Sequence, residues 1–61
     1  MNQYVIDSSF SEYFGITCYE LEHYTSETHN ETWVKVVFDY PTNGTFKELK
    51  TWFKASELIL A

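Results

Sequence analysis

A chain of 61 residues that carries a single cysteine has to hold its fold together without an internal disulfide. A chain this short buries only about 60% of the surface that its unfolded form exposes, which leaves material for one core. Five Phe, five Tyr and two Trp supply the apolar area, because each buried ring removes roughly 150–250 Å² from water. The sequence therefore predicts a single domain, residues 1–61, with an aromatic-rich core and no deep catalytic cleft.

The same cysteine bears on the compartment. Small secreted domains are usually rich in disulfides, whereas Cys18 has no second cysteine to pair with. The first residues, Met1 to Tyr4, hold neither a basic stretch nor a long apolar run, and no segment approaches the roughly 18 apolar residues that span a bilayer. We therefore expect a cytoplasmic protein with no membrane association.

The charge is both negative and uneven. Formal charge is −5, but the stretch from Met1 to Val34 holds six carboxylates and no Lys or Arg, whereas Lys35 to Ala61 holds four lysines against three carboxylates. Nucleic-acid binding depends on Lys and Arg that neutralise phosphates, so this balance disfavours direct nucleic-acid binding. An acidic surface can instead attract a basic protein, or serve solubility alone.

Two segments alternate as half-buried strands do. In Ile16–Tyr24 the alternation places Cys18, Glu20, Glu22 and Tyr24 on one face, so that the two carboxylates are expected to point the same way about 6.6–6.8 Å apart. In Trp33–Tyr40, an all-apolar face predicts the core, with Trp33 directed away from it. The residues of that core face are Val34, Val36, Phe38 and Tyr40. Residues 25–32 then form the loop of a long antiparallel hairpin.

The last third of the chain allows two interpretations. Pro41-Thr42-Asn43-Gly44 predicts a turn, because Asn-Gly readily takes positive φ. After it, Thr45 to Glu48 has the sequence of a capping box, and helical spacing then favours a helix over 46–55. The alternative is a strand over Leu49–Phe53, a single turn over Lys54–Glu57 and a last strand over Leu58–Leu60. Periodicity leaves both open.

Three segments in order resemble the pattern of small SH3-like β-barrels: Tyr13-Phe14-Gly15, then Trp33-Val34-Lys35-Val36-Val37-Phe38-Asp39, then Trp52 to Leu58. The resemblance covers roughly residues 5–60. It implies a mostly β protein, a five-stranded barrel or a strongly bent antiparallel sheet, whose relatives usually bind proteins or nucleic acids. The alternative fold is α+β, a β-hairpin followed by a C-terminal helix 46–55. In size, acidity and composition the chain also resembles small bacteriophage proteins that disable host factors, which implies the cytoplasm of the host cell.

Motifs for catalysis are missing from the sequence. Cys18 and His23, the only candidates for a nucleophile and a base, are five residues apart and so are expected on opposite faces of one strand. The histidines His23 and His29 lack zinc-ligand spacing, and with two glycines and no arginine no phosphate-binding loop can form. We expect no enzyme activity, no metal and no cofactor.

The preferred hypothesis is therefore an inhibitor that imitates the charge of nucleic acid and blocks the basic surface of a DNA- or RNA-binding protein. The alternative is a structural subunit of a larger assembly that docks through aromatic and strand-edge contacts. An open strand edge could also pair with a second copy, which makes a homodimer an expectation. A third hypothesis, direct nucleic-acid binding, would use Lys47, Lys50 and Lys54. The candidate partner-binding residues are Glu12, Glu20, Glu22, Tyr24, Glu27, Glu31 and Trp33.

Overall fold

The computed structural model describes residues 2–61 and consists of one antiparallel sheet of five strands. The strands lie in the order β4-β3-β2-β1-β5, and the sheet does not close on itself. The mostly β fold predicted from the sequence is confirmed, and at this coarse level the sheet is consistent with an SH3-like fold. The strands are β1 (Gln3–Ile6), β2 (Thr17–Ser26), β3 (Glu31–Thr42), β4 (Thr45–Lys54) and β5 (Leu58–Leu60), with one 3-10 turn at Ala55–Glu57.

One side of the sheet, which we call the inner face, carries the core. Its buried side chains come from four of the strands, and none of the described polar or charged side chains is buried with them. Tyr13, from the loop between β1 and β2, covers part of this face, with its ring 5.1 Å from the rings of both Phe38 and Tyr40. The predicted core face of β3 is thus confirmed. The buried residues are Ile6, Cys18, Val34, Val36, Phe38 and Phe53.

The loop that delivers Tyr13 is closed at its base by a glycine. Gly15 has φ +86°, and its N–H donates to the carbonyl of Ile6 over 2.8 Å. Ile6 in turn donates its own N–H to the carbonyl of Ile16 over 3.0 Å. Because a side chain at positive φ is strained, glycine suits this closing position. The first long strand follows directly at Thr17.

The β3–β4 hairpin turns on two residues only. Asn43 and Gly44 have φ of 49° and 81°, the signature of a type I′ turn, and Thr42 pairs with Thr45 across it. Pro41 lies within β3, opposite Phe46, and not in the turn as the sequence suggested. Tyr19 pairs with Val37, so β2, which begins at Thr17, ends before it reaches Pro41. No neighbouring strand therefore requires the N–H that proline lacks.

The predicted helix over 46–55 is wrong, because this segment is β4. Ten consecutive residues of β4 pair with β3, from Thr45 opposite Thr42 to Lys54 opposite Trp33. The Thr45 hydroxyl does not cap a helix and donates instead to the Thr42 carbonyl over 3.0 Å. The strand, turn and strand interpretation is confirmed, with β4 longer at its start than expected.

The β2–β3 hairpin is longer and tighter than predicted. Its strands continue to Ser26 and Glu31, which pair with each other, so the loop shrinks from residues 25–32 to residues 27–30. Asn30 takes φ 52° at the end of this loop. Within residues 2–61, no helix is long and apolar enough to cross a membrane.

A β-bulge at Leu21 changes the direction of the side chains along β2. Glu20 lies opposite Val36, whereas Glu22 lies opposite Lys35, so Leu21 is an extra residue without a counterpart in β3. Since directly paired residues share a face, Glu20 lies on the inner face with Val36, and Glu22 lies on the opposite, outer face. The prediction that both carboxylates point the same way is therefore wrong.

Candidate protein-binding face

Three large aromatic side chains lie together on the outer face of the sheet. Tyr24 of β2 is directly opposite Trp33 of β3, and Trp52 of β4 is opposite Lys35, one step along β3 on the same face. Tyr24 is 61% exposed and Trp52 is 40% exposed. Tyr24, Trp33 and Trp52 are called the aromatic patch below.

Local sequence explains how each ring reaches this face. Trp33 alternates with the buried residues Val34 and Val36, so its side chain must point to the other side. Tyr24 lies two residues after Glu22, beyond the bulge, so both side chains point to the outer face. The structure thus places Tyr24 and Trp33 on one face of the sheet, whereas their role in binding stays a prediction.

Trp52 was missed as a site residue at the sequence level. Its face could be assigned only if residues 46–55 form a strand, and the competing helix left that open. The register signal was nevertheless present, because a two-residue Asn43-Gly44 turn fixes which residue of β4 opposes each residue of β3. Counting the same number of residues in both directions from that turn places Trp52 opposite Lys35.

Glu22 borders the aromatic patch and supplies its carboxylate. Together with the three rings it lines an open surface hollow of about 380 Å³. Glu22 is also directly opposite Lys35 across the β2–β3 ladder, so its charge has a basic neighbour on the same face. The hollow offers a partner apolar contact area with one acidic group at its border.

A second carboxylate, Glu31, is tied to the patch through Lys54. The Lys54 Nζ atom lies 3.7 Å from Glu31 Oε1 and 5.7 Å from the centre of the Trp33 ring. Both charged side chains are nearly half exposed, so the ion pair is of the weak surface kind. It still positions Lys54 over Trp33 and partly neutralises Glu31.

Glu20, by contrast, is held on the inner face. Its carboxylate accepts a hydrogen bond of 3.0 Å from the Tyr4 hydroxyl, and its second oxygen lies 3.6 Å from His23 Nδ1. Burial and this hydrogen bond to Glu20 raise the pKa of Tyr4 above 10.0. Glu20 is thus part of the packing beside the core, and is separated by the sheet from the aromatic patch.

The remaining two candidates lie in loops. Glu12 is exposed in the loop between β1 and β2, and Glu27 is exposed in the four-residue loop between β2 and β3. Glu27 directly follows Ser26, whose partner in β3 is Glu31. The seven predicted residues therefore do not form one surface: Glu22, Tyr24, Glu31 and Trp33 share the outer face, Glu27 adjoins its end, and Glu20 is on the other side.

The lysines are divided in the same way. Alternation along β4 places Lys50 and Lys54 on the outer face and Lys47 on the inner face, opposite Tyr40. The three therefore do not line one basic surface. On the outer face, Lys35, Lys50 and Lys54 stand among four strand carboxylates, so this face carries nearly balanced charge. Those carboxylates are Glu22, Glu31, Asp39 and Glu48.

Cys18 and His23 are on the same side of β2, contrary to the prediction. The bulge moves His23 onto the inner face, opposite Val34, where Cys18 is also buried. Five residues still separate them along the strand, roughly 15 Å, which is too far for a hydrogen bond. Burial raises the pKa of the Cys18 thiol, which disfavours the nucleophilic thiolate.

The side chains of this face are suited to noncovalent contacts. Exposed rings offer dispersion and cation–π contacts, while Glu22 can accept hydrogen bonds from a bound group. Among residues 2–61, no three His, Cys, Asp or Glu side chains are grouped to hold a metal ion. Comparison with protein-family models, with curated proteins and with solved structures finds no match for this chain.

Proposed function

We propose that this protein is a non-enzymatic protein-binding module that docks through the aromatic patch. The observation that carries the proposal is the placement of Tyr24, Trp33 and Trp52 on the outer face, beside an open hollow bordered by Glu22. Exposed aromatic clusters of this kind are typical of binding sites, and Tyr and Trp are enriched among the residues that dominate interface energies.

The hollow favours a partner segment with mixed character. Its ring surfaces suit an apolar or aromatic side chain, and Glu22 suits a neighbouring Lys or Arg. Because the outer strands carry nearly balanced charge, apolar contact is expected to supply most of the affinity, and salt should weaken binding only modestly. This corresponds to a subunit or adaptor that docks within a larger assembly.

The second candidate is the acidic inhibitor that imitates nucleic acid. It is favoured by the net charge of −5 and by the absence of Lys and Arg from residues 1–34. The separation of Glu20 from Glu22 by the sheet weakens it, because a continuous row of carboxylates is lost. In this form the acting residues would be Glu12, Glu22, Glu27 and Glu31, the partner would be a basic nucleic-acid-binding protein, and the site of action would be the cytoplasm of a phage-infected host.

An SH3-like origin of the scaffold is part of the proposal. The meander of β1 to β4, the 3-10 turn before the last strand and the pairing of β5 with β1 support it. The sheet would then be an opened version of that barrel. Binding of proteins is the implied use, with no catalytic step.

Affinity capture from a bacterial lysate distinguishes the two candidates. The tagged protein is compared with a Tyr24→Ala/Trp33→Ala variant and with Tyr19→Ala, a control on the same face outside the aromatic patch. Docking through the patch predicts partners that resist high-salt washing, are lost with the double variant and are kept with the control. Any partner found is then titrated against the wild type by Trp fluorescence, since both tryptophans lie in the patch.

Charge imitation predicts a different result from the same experiment. A basic DNA- or RNA-binding protein would elute with salt and would be lost with Glu22→Lys and Glu27→Lys variants, while the aromatic variant would retain it. Partners that bind all variants equally at every salt concentration would contradict both candidates. Circular dichroism of each variant shows whether its fold is intact.

A further inference from the structure

The free edge of β4 is the longest open edge of the sheet. The residues Thr42 and Thr45, which flank the two-residue turn, form a hydrogen-bonded pair, and such pairs alternate along a hairpin. Odd-numbered residues of β4 therefore bond to β3, and even-numbered residues direct their N–H and C=O groups to the open edge. The Lys54 N–H agrees with this direction, because it donates to the Glu57 carboxylate over 3.0 Å.

Four residues consequently offer unpaired backbone groups along this edge: Phe46, Glu48, Lys50 and Trp52. In the part of the chain that the structure describes, β4 neighbours no strand except β3. The terminal strand on the opposite side, β5, has only three residues. A row of open donors and acceptors is a template for another strand.

We propose that a second copy of this chain pairs with β4, antiparallel, about a twofold axis that passes through Leu49. Each copy would then add its five strands to one continuous sheet. A second copy fits this edge because the sequence of β4 is complementary to its own reverse in this register and in no neighbouring one. The proposal does not depend on the function proposed for the aromatic patch.

Side-chain chemistry in this register is favourable at every outer pair. Phe46 lies opposite Trp52 of the second copy, and Glu48 lies opposite Lys50 of the second copy, each pair occurring twice. Phe46 is 76% exposed in the single chain and gains an aromatic neighbour by this pairing. On the inner face, the half-buried Leu49 meets its own copy at the axis.

The neighbouring registers are unfavourable. To form the new ladder, an even-numbered residue of one copy must lie opposite an even-numbered residue of the other. The twofold axis must therefore pass through a residue of β4 and can move only from one residue to the next. An axis at Lys50 would place two lysines face to face, and an axis at Glu48 would place two glutamates face to face. Moving the axis further toward the end of β4 would require the Lys54 N–H, which is already committed to Glu57.

Cysteine cross-linking tests the axis directly. In the proposed register, the two Leu49 residues form a non-hydrogen-bonded pair with Cα atoms about 4.5 Å apart, within the range for a disulfide. The two Lys50 residues are diagonal to each other at roughly 7–8 Å, at or beyond that range. Under mild oxidation, the Leu49→Cys protein should form a covalent dimer and the matched Lys50→Cys protein should not. The wild type reports any contribution from the buried Cys18.

Charge reversal tests the same register without touching the core. Glu48→Lys or Lys50→Glu alone places like charges opposite each other twice in every dimer, and each should raise the dimer dissociation constant at least about tenfold. The double variant Glu48→Lys/Lys50→Glu restores opposite charges and should return the dissociation constant to near that of the wild type. Sedimentation equilibrium over micromolar to millimolar protein gives these constants.

Several results would overturn the proposal. A wild-type chain that stays monomeric at millimolar concentration excludes the dimer. A dimer indifferent to both single reversals, or cross-linked through Lys50→Cys and not through Leu49→Cys, excludes this edge or this register. If Leu49→Cys fails to fold, the reversal series still decides, because Glu48 and Lys50 are exposed. None of these outcomes depends on whether the aromatic patch binds a partner.

Discussion

The two faces of β3 place their side chains in opposite environments. Val34, Val36 and Phe38 point to the inner face and are at most 4% exposed. Trp33 and Lys35 alternate with them and point to the outer face, where Tyr24 and Trp52 remain open to solvent. In this small protein the buried core lies on one face of the sheet, and both tryptophan side chains lie on the other face, outside the core.

Truncation on each face should separate stability from binding most clearly. Phe38→Ala removes a ring that is 3% exposed and contacts Tyr13, so it should lower the free energy of unfolding by about 3–5 kcal/mol. Tyr24→Ala on the outer face should lower it by less than about 1 kcal/mol. Urea titration followed by circular dichroism measures both, and equal losses would show that the outer face is also structural.

Thiol labelling compares the faces without removing a core side chain. Cys18 is fully buried and burial raises the pKa of its thiol, so labelling of the native protein at pH 8 should proceed only through unfolding. A cysteine introduced on the outer face by Tyr24→Cys should react at least about a hundredfold faster. Rates that match for the two cysteines in one protein would mean that the inner face opens readily.

Glu20 and Glu22 compare the two faces through one carboxylate on each. Glu20→Ala removes the acceptor of the Tyr4 hydroxyl and should lower the free energy of unfolding by about 1–2 kcal/mol. Glu22→Ala should change stability by no more than about 0.5 kcal/mol and act only on binding at the patch. Thermal unfolding distinguishes them, and the reverse order would contradict the bulge at Leu21.

The smallest expected effect concerns Tyr4 and pH. Its pKa is raised in the folded protein, so its contribution to stability is complete below pH 10, the unfolded value, and is lost as the pH rises through the folded pKa. Tyr4→Phe should lower the free energy of unfolding by about 0.5–1.5 kcal/mol at pH 7, through the lost hydrogen bond. Urea titrations should show a smaller gap in the free energy of unfolding between variant and wild type at pH 11 than at pH 7. A gap that widens at pH 11 would contradict the assigned sign.

Local patterns predicted the centre of the fold well. The alternation of Val34, Val36 and Phe38 and the Asn43-Gly44 turn required nothing outside their own few residues, and both are confirmed. The last strand at Leu58–Leu60 and the turn before it were also predicted, as one of two alternatives. Alternating burial along a strand and positive φ at a turn depend on the local chain, so both can be predicted from sequence alone.

The bulge could not be predicted in this way. Ile16–Tyr24 alternates without a Gly or Pro that would mark an extra residue at Leu21, so the sequence gives no sign of it. The bulge exists only in the pairing of β2 with β3. It directs Glu22 to the outer face and His23 to the inner face, where Glu20 also lies, so the expected pair of carboxylates is divided between the two faces.

By itself the sequence determined the core face of β3 and the Asn43-Gly44 turn that follows this strand. Tertiary structure alone decided that residues 46–55 form a strand, that Glu20 and Glu22 lie on opposite faces, and that Trp52 joins Tyr24 and Trp33. The physical reason is that helical spacing and a capping sequence describe only the local chain. The ladder with β3, by contrast, satisfies backbone groups, buries Phe53 and packs Leu49 against the core, through residues distant in sequence.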